Sequence, residues 1–429
     1  MLTTILTLPS ILFLAAHAYR VGSPGGAIFW LIAALLAVAP LSWKSLALAG
    51  LLAFGSWLWG DITLSLIQQR MALGLPWLRL AAILGLVSLV CLSAALMNVL
   101  RARRTGQTDD LVQGLAFLLT LAGLAIAKHK TSLDIILLDR FFPSGGWIMI
   151  ILLGIYAAWI TGKMLQPEIS GKWRRMIWTI FSAVFFLQLF LGLIGFSRFL
   201  MTGSLHLPIP ALIAAGPLYR GEGFFMIILF AVTLVLVGPA WCSHLCYIGA
   251  WDNLAATNKK RPGSLPDWTK HARWLLCLAV LGTATILGKS GQPPTLAIAL
   301  AAAFGLGGLA VMLTWSRRSG IMTHCTTYCP MGLLANIFGK INPWRIRIGQ
   351  KCCKCGLCTR VCRYGALSPG HIASGKAGMN CSLCGDCISG CPHGQLQYQF
   401  PGLGPEAART GFIAIIVALH AVFLGVARL

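Results

Sequence analysis

Charge is scarce in this chain of 429 residues, and acidic charge is scarcest. Only 10% of the residues are charged, and 11 Asp and Glu stand against 34 Lys and Arg, which gives a net charge of +23. A soluble globular domain carries about 25% charged residues, so this composition excludes a fold that water surrounds on all sides. With 57% hydrophobic residues, disorder, a collagen-like fibre and a nucleic-acid-binding coat are excluded as well. The cations instead suit one face of a membrane.

Long apolar runs take the place of the missing charge. A bilayer crossing needs roughly 20 apolar residues of helix, and eleven stretches approach that length. They are 2–19, 27–41, 46–67, 78–100, 111–127, 147–165, 177–200, 222–239, 272–288, 295–315 and 411–427. The sequence therefore predicts a mainly α, polytopic helical membrane protein with about 11 spans. Ala16-His17-Ala18 resembles a signal-peptidase site, but no Lys or Arg precedes it, so we expect the first helix to be retained.

The distribution of basic residues predicts an orientation. If the N-terminus is cytoplasmic, the inner loops carry 16 Lys and Arg and the outer connections carry 10. Segment 319–403, with eight further basic residues and one acid, then lies on the inner side. Because cytoplasmic loops of membrane proteins are enriched in Lys and Arg, we expect a multi-pass membrane protein whose N-terminus and segment 319–403 face the cytoplasm.

Eight of the fifteen cysteines form two matching runs. The runs are Cys352-x-x-Cys355-x-x-Cys358-x-x-x-Cys362 and Cys381-x-x-Cys384-x-x-Cys387-x-x-x-Cys391-Pro392. In two-cluster ferredoxins, three cysteines of a run hold one [4Fe–4S] cluster and the fourth crosses to the other. The spacing predicts one cluster on Cys352, Cys355, Cys358 and Cys391, and another on Cys381, Cys384, Cys387 and Cys362. Zinc is the alternative, but its four ligands usually come as two separated pairs.

Two positions depart from this pattern. Arg363 stands where the second run has Pro392, and a cation beside a cluster is expected to favour its reduced state. Cys353 is an additional thiol directly after Cys352, and its spacing from Cys355 does not suit a ligand. We therefore expect Arg363 to raise a cluster potential and Cys353 to remain unligated.

A second set of four cysteines shares the template C-x3-C-x-x-G. Its copies are Cys242-Ser-His-Leu-Cys246-Tyr-Ile-Gly249 and Cys325-Thr-Thr-Tyr-Cys329-Pro330-Met-Gly332. A spacing of four places both thiols of a copy on one helical face, and each copy follows the inner end of a span. The repeat predicts a third iron–sulfur cluster on Cys242, Cys246, Cys325 and Cys329. The alternative is two pairs of buried thiols that pack as small hydrophobic groups. His244 and His324 flank the set and are expected to tune it.

Electron transfer across a core roughly 30 Å thick needs a carrier besides clusters on one side. The segment 203–223, broken by three prolines, is a candidate quinol or partner pocket. Polar residues near the outer side are Asp61, Arg198, His206, Arg220 and Glu222. Each of these is more often an ordinary interfacial residue, because long polar side chains reach water easily there.

Residue content divides the chain into four segments. Residues 1–165 predict a six-helix membrane module with little chemistry, and 166–318 a four-helix membrane core with the first C-x3-C copy. Residues 319–403 predict a cytoplasmic segment with the second copy and a two-cluster, ferredoxin-like α+β domain. Residues 404–429 predict a C-terminal transmembrane helix.

From about residue 177 to 400, these motifs resemble the membrane polyferredoxins of the NapH/NosR type, in which C-x3-C-P motifs and two ferredoxin blocks occur together. Tyr247 replaces the first proline of that pattern. The resemblance implies an electron-transfer component of an oxidoreductase system, which relays electrons between cytoplasmic or quinone donors and a membrane or periplasmic redox partner. A quinone, flavin or haem is then expected in that partner or within the spans, and the resemblance implies a prokaryotic cytoplasmic (inner) membrane. The alternative is a maturation or uptake factor that reduces copper or iron with the same clusters.

Overall fold

The computed structural model describes residues 2–131, 134–200 and 207–426, and helices dominate it. In chain order the α-helices are α1 (Leu2–Arg20), α2 (Pro24–Val38), α3 (Lys44–Ala72), α4 (Leu78–Thr105), α5 (Thr108–Lys130), α6 (Gly146–Met164), α7 (Pro167–Leu193), α8 (Leu212–Arg220), α9 (Phe225–Val237), α10 (Trp241–His244), α11 (Tyr247–Thr257), α12 (Trp268–Lys289), α13 (Pro294–Val311), α14 (Arg317–Ser319), α15 (Pro330–Phe338), α16 (Pro369–Ala373), α17 (Asp386–Ser389) and α18 (Pro405–Val426). The strands are β1 (Arg345–Ile348) and β2 (Leu396–Gln399). The prediction of a mainly α, polytopic fold is confirmed.

Nine helical segments in the described residues are long and apolar enough to cross a membrane. They are Lys44–Ala72, Leu78–Arg104, Thr108–Lys130, Gly146–Met164, Pro167–Leu193, Phe225–His244, Trp268–Lys289, Pro294–Ser319 and Pro405–Val426. Nine of the eleven predicted spans are among these segments, and the remaining two, α1 and α2, are helical as well. At 15 residues, α2 is only about 22 Å long, which is short for a hydrocarbon core of roughly 30 Å.

The chain forms two compact units. Within the described residues, one unit comprises 2–162 and 417–426, and the other comprises 163–416. The first unit contains α1 to α5, most of α6 and the end of α18. Its polar contacts include the bond from Asn98 Nδ2 to Thr7 Oγ1 at 2.9 Å and the Tyr156–His420 pair at 3.1 Å. The predicted division into four segments stays a prediction.

The second unit contains every cysteine of the two predicted cysteine sets. Its small sheet pairs β1 with β2 in antiparallel register, with Ile346 opposite Tyr398. Tyr398 is buried, donates from its hydroxyl to the carbonyl oxygen of Leu383 at 2.7 Å, and stacks on Phe412 of α18 with ring centroids 4.5 Å apart. The sheet thereby closes around the second cysteine run and fixes it against the start of α18.

Candidate metal centres

The two cysteine runs of the ferredoxin-like segment adopt the same backbone. Lys354 and Leu383, the residues before the second cysteine of each run, both have φ of 55°. The residues after that cysteine, Gly356 and Gly385, have φ of 71° and 80°. Side chains other than glycine rarely adopt this left-handed region, so each run needs glycine at this position. Each second cysteine therefore lies between two left-handed residues, which turns the chain around its thiol.

The first quartet is brought together as the spacing predicts. Cys352, Cys355, Cys358 and Cys391 line one pocket, together with Cys353. Cys391 comes from the second run, so the crossing ligand lies beside the first run. Burial raises the pKa of Cys358, whereas the amide of Leu357 lowers the pKa of the exposed Cys355 by donating to its sulfur. This quartet therefore lies at the protein surface.

The second quartet is more deeply enclosed. Burial raises the pKa of Cys387 well above its ordinary value, with the thiols of Cys384, Cys381 and Cys362 close enough to add to the effect. Burial also raises the pKa of Cys381 to about 12. The amide of Ala366 donates to the sulfur of Cys362 at 3.3 Å. Cys362, the last cysteine of the first run, thus lies beside the first three cysteines of the second run.

The C-x3-C copies do not lie on a single helical face, and that expectation is wrong. Each copy spans a junction: its first cysteine is in one short helix, and its second is the N-cap of the next. Cys246 caps α11 with φ, ψ of −79°, 114°, and Cys329 caps α15 with −76°, 120°. In both copies the amide of the second cysteine donates to the carbonyl five residues earlier, at 3.0 Å to Trp241 and 2.7 Å to His324. Pairs of thiols can share a helical face or straddle a junction at the same spacing.

The template glycines allow the second helix of each copy to approach the backbone of the first cysteine. A Cβ on Gly249 would lie 2.8 Å from the carbonyl oxygen of Cys242, and one on Gly332 would lie 2.3 Å from that of Cys325. Both distances are too short for a side chain, so glycine is required. The proline of the second copy is position N1 of α15, where its missing amide costs nothing. Tyr247 occupies the same position in α11, so its replacement of proline leaves the junction unchanged.

The four cysteines of the two copies converge. Cys242, Cys246, Cys325 and Cys329 are each less than one-tenth exposed and line one pocket, with Pro210 and His324 in its wall. Burial and the thiol of Cys329 raise the pKa of Cys246 to about 12.

Amides at the helix N-termini oppose that rise. Gly249 and Ile248 donate to the sulfur of Cys246, and Gly332 and Met331 donate to that of Cys329. Such N–H···S bonds and helix N-termini favour thiolate. Four cysteine donors with amides directed at two of the sulfurs fit a thiolate-bound iron–sulfur cluster.

The flanking histidines differ in their surroundings. His244 is buried and its Nδ1 contacts Ser243 Oγ at 3.0 Å. His324 is also buried, and neither ring nitrogen has a hydrogen-bond partner among the residues that the structure describes. Burial lowers the pKa of His324 to about 4, which keeps the ring neutral. Its tuning role stays a prediction.

Direct contacts join the second quartet to the C-x3-C quartet. The buried Tyr364 donates from its hydroxyl to the carbonyl of Cys242 at 3.1 Å, and Ser243 Oγ donates to the carbonyl of Ser382 at 2.9 Å. Cys325 and Tyr364 belong to one core cluster, against which Cys362, Cys381 and Cys384 pack. The two quartets therefore pack against one continuous core cluster.

The most buried ion pair of the site was not predicted. Arg174 of α7 donates from Nε and Nη2 to the two carboxylate oxygens of Asp386, at 3.1 and 2.7 Å, and from Nη1 to the carbonyl of Ser243 at 2.8 Å. The Arg174 side chain is 1% exposed. The available signal was Asp386 itself, the one acid in a basic segment, placed between Cys384 and Cys387.

Arg363 donates several hydrogen bonds to the backbone of neighbouring segments. Its guanidinium donates to backbone carbonyls, among them Lys259 at 2.8 Å and Gly320 at 3.0 Å. These carbonyls lie just past α11 and at the end of α14, where helix ends leave acceptors unsatisfied. Arg363 therefore holds the first ferredoxin run to the basic loop after α11. The expected effect of Arg363 on a cluster potential stays a prediction.

The additional thiol lies at the surface. Cys353, Cys355 and His393 are exposed, and their ligand atoms lie within 4.8 Å of one another. Cys355 belongs to the first quartet, so Cys353 and His393 are left beside it. The expectation that Cys353 is unligated by a cluster stays a prediction.

The candidate quinol pocket is only partly described. His206 and the rest of 201–206 lie outside the described residues. Contrary to expectation, part of the segment is helical: α8 runs from Leu212 to Arg220 with Pro217 inside. Pro210 from this segment lines the pocket of the C-x3-C quartet.

Comparison with known families points to the same chemistry. A family model described as a 4Fe-4S binding domain matches residues 222–262. This segment contains Cys242 and Cys246, half of the C-x3-C quartet. Searches of curated proteins and of solved structures found no match. The match supports an iron–sulfur protein of the ferredoxin type, in a chain whose helices suit a multi-pass membrane protein.

Proposed function

We propose that this protein is a membrane-anchored electron-transfer protein of the NapH/NosR type, with two [4Fe–4S] clusters in the ferredoxin-like segment and a third cluster on the C-x3-C quartet. It passes electrons between a cytoplasmic or quinol donor and a redox partner in the membrane or periplasm, as a component of an oxidoreductase system. The observation that carries the proposal is the shared core of the second quartet and the C-x3-C quartet, joined through Tyr364.

The quartets are graded in exposure, which supports a relay. The first includes the exposed Cys355, the second is packed against the core cluster, and the C-x3-C cysteines are buried between helices. Clusters held there would supply one-electron chemistry. The chain supplies the thiolates, the amides that donate to them and the dry packing that excludes water between them. Cys242 lies in the apolar segment Phe225–His244, so the buried end of this series lies next to membrane-type helices.

Anaerobic purification with iron and acid-labile sulfide analysis tests the proposal, followed by redox-titrated EPR. We expect three [4Fe–4S] clusters, all reduced by quinol in proteoliposomes or by a cytoplasmic-side donor. The variants C384S and C387S should lose the second cluster. The matched controls C91S and C277S replace buried cysteines outside the quartets and should keep full iron content. Colourless protein without acid-labile sulfide would refute the proposal.

The inner membrane and a cytoplasmic ferredoxin-like segment belong to the same proposal. Arg363 binds the carbonyls of Lys259 and Lys260, so this basic loop lies beside the first ferredoxin run. Since such loops favour the cytoplasm, the segment is proposed to face that side. Cys353 is exposed, and labelling it with an impermeant maleimide in inverted but not right-side-out vesicles is the expected result. Labelling of Cys353 in right-side-out but not in inverted vesicles would mean that the ferredoxin-like segment faces the opposite side of the membrane.

One observation favours the second candidate function, reduction of copper or iron for maturation or uptake. The exposed Cys353 and His393 lie beside Cys355 of the first quartet, and a thiol with an imidazole suits copper. Turnover with Cu(II) or Fe(III) that is lost in C353S and in H393A, with clusters intact, would support it. Quinol-dependent cluster reduction without metal turnover would favour electron transfer to a protein.

A further inference from the structure

Arg273 of α12 carries a buried charge beside the C-x3-C quartet. We propose that this guanidinium is the fixed counter-ion of an anionic metal–thiolate centre on Cys242, Cys246, Cys325 and Cys329, and that it sets the reduction potential of that centre. The inference rests on the proposed function and adds to it the residue that tunes the third cluster.

The position of Arg273 connects it to both C-x3-C copies. The residue is 5% exposed, and α12 packs against α15 and against the short helix His324–Tyr328. Its Nη2 lies 3.4 Å from where a Cβ on Gly332 would be. The guanidinium is within electrostatic range of the thiols of Cys242, Cys329 and Cys325. One cation therefore acts on at least three of the four sulfurs.

Within the part of the chain that the structure describes, no carboxylate lies within ion-pair distance of Arg273, and its Nε has no hydrogen-bond partner. Its Nη1 donates to the neutral Oδ1 of Asn380 at 2.7 Å. A buried cation without a counter-ion is strongly unfavourable. Four protonated thiols are neutral and would leave the Arg273 guanidinium without a counter-ion. Four thiolates on an iron–sulfur core carry net negative charge and would balance the guanidinium.

Two neighbours strengthen the argument. Asp252 is fully buried and accepts the amide of Cys325 at 2.9 Å, so its carboxylate adds to the negative charge that the quartet must tolerate. Asn380 directly precedes Cys381, so Arg273 also reaches the second quartet. A cation at this place favours the more negative, reduced state of the centre.

The test uses the full chain, purified anaerobically in detergent, as R273Q, R273K and a control. The control is K270Q, which removes the same charge one turn earlier on α12 from a side chain that is 78% exposed. Iron and sulfide content and EPR redox titration are measured for each. We expect R273Q to lower the equilibrium constant for reduction of one cluster by about tenfold, which is 59 mV for a one-electron couple. R273K should restore most of it, and K270Q should match the wild type.

Loss of one cluster in R273Q but not in R273K would also support the inference, because R273K keeps the positive charge that R273Q removes. Unchanged potentials in R273Q with full iron content would overturn it, as would equal losses in R273Q and R273K. Wild-type protein with iron and sulfide for two clusters would overturn this inference and leave two-cluster electron transfer standing. Protein without any acid-labile sulfide would refute the proposed function itself.

Discussion

Replacing Asp386 by asparagine tests how the ferredoxin-like segment is held to helix α7. The change keeps the shape of the side chain but removes the charge that pairs with Arg174 at 2.7 Å. Breaking a buried pair on one side costs about 3–5 kcal/mol, because the remaining charge is uncompensated. Asparagine still accepts one hydrogen bond, so we expect about 3 kcal/mol, which corresponds to roughly 100-fold in an equilibrium constant.

Hydrogen exchange of the full chain in nanodiscs measures this change. Amides of α17 and β2 should lose about 100-fold in protection, since local opening of the segment breaks the pair. Peptides from α3 and α4, in the other compact unit, should exchange as in the wild type. The matched control is D267N, which breaks an ion pair with Lys270 whose side chains are 92% and 78% exposed. Water and salt screen such a fully exposed pair, so D267N should leave protection unchanged.

A double variant separates the orphaned charge from the lost contact. R174M with D386N removes both charges of this buried pair, so it should recover part of the protection that D386N alone loses. Protection in D386N within about threefold of the wild type would refute the reasoning, since the Arg174–Asp386 pair would then not stabilise the ferredoxin-like segment against α7. So would a double variant that loses the sum of the two single effects.

Three further predictions concern single side chains. G332A should lose the C-x3-C cluster, and G249A should lose it less completely, because the added Cβ would lie 2.3 and 2.8 Å from a cysteine carbonyl; G282A, where a Cβ meets nothing within 4 Å, is the control for iron analysis. Y364F should keep all iron and lose about 1 kcal/mol for one hydrogen bond, whereas Y364A should lose about 3–5 kcal/mol by leaving a cavity, as thermal unfolding would show. C353S should keep full iron and sulfide, whereas C355S should lose the first cluster; equal losses would make Cys353 a ligand.

The cysteine sets could be predicted because their spacing follows from coordination chemistry. Three thiols two residues apart suit one cluster whatever the surrounding fold, and the structure brings Cys391 to the first run and Cys362 to the second. The spans could be predicted from apolar length alone, and nine of the eleven meet the length and composition expected of a crossing. Both signals are local, so one sequence is enough to read them.

The charged partners could not be predicted in the same way. Arg174 and Asp386 are 212 residues apart, and nothing in the local sequence relates them. The positive-inside rule assigns Arg174 and Arg273 to inner loops, where their charge would be solvated. In the structure both lie within apolar helices that suit a membrane crossing, and both guanidiniums are buried. Arg273 lies inside the predicted span 272–288, which was a signal that the loop count concealed, whereas Arg174 precedes the predicted span 177–200.

The junction in each C-x3-C copy shows why a repeated template carries more information than its spacing. A spacing of four is compatible with one continuous helix, and only the glycine three residues later argues against it. In both copies that glycine lies against the carbonyl of the first cysteine, an approach that one straight helix would not produce. The template therefore encodes a bend, and the bend places the second thiol at a helix N-terminus, where amides donate to its sulfur. Because Tyr247 and Pro330 begin their helices equally well, the glycine and the two cysteines are what the half-site requires.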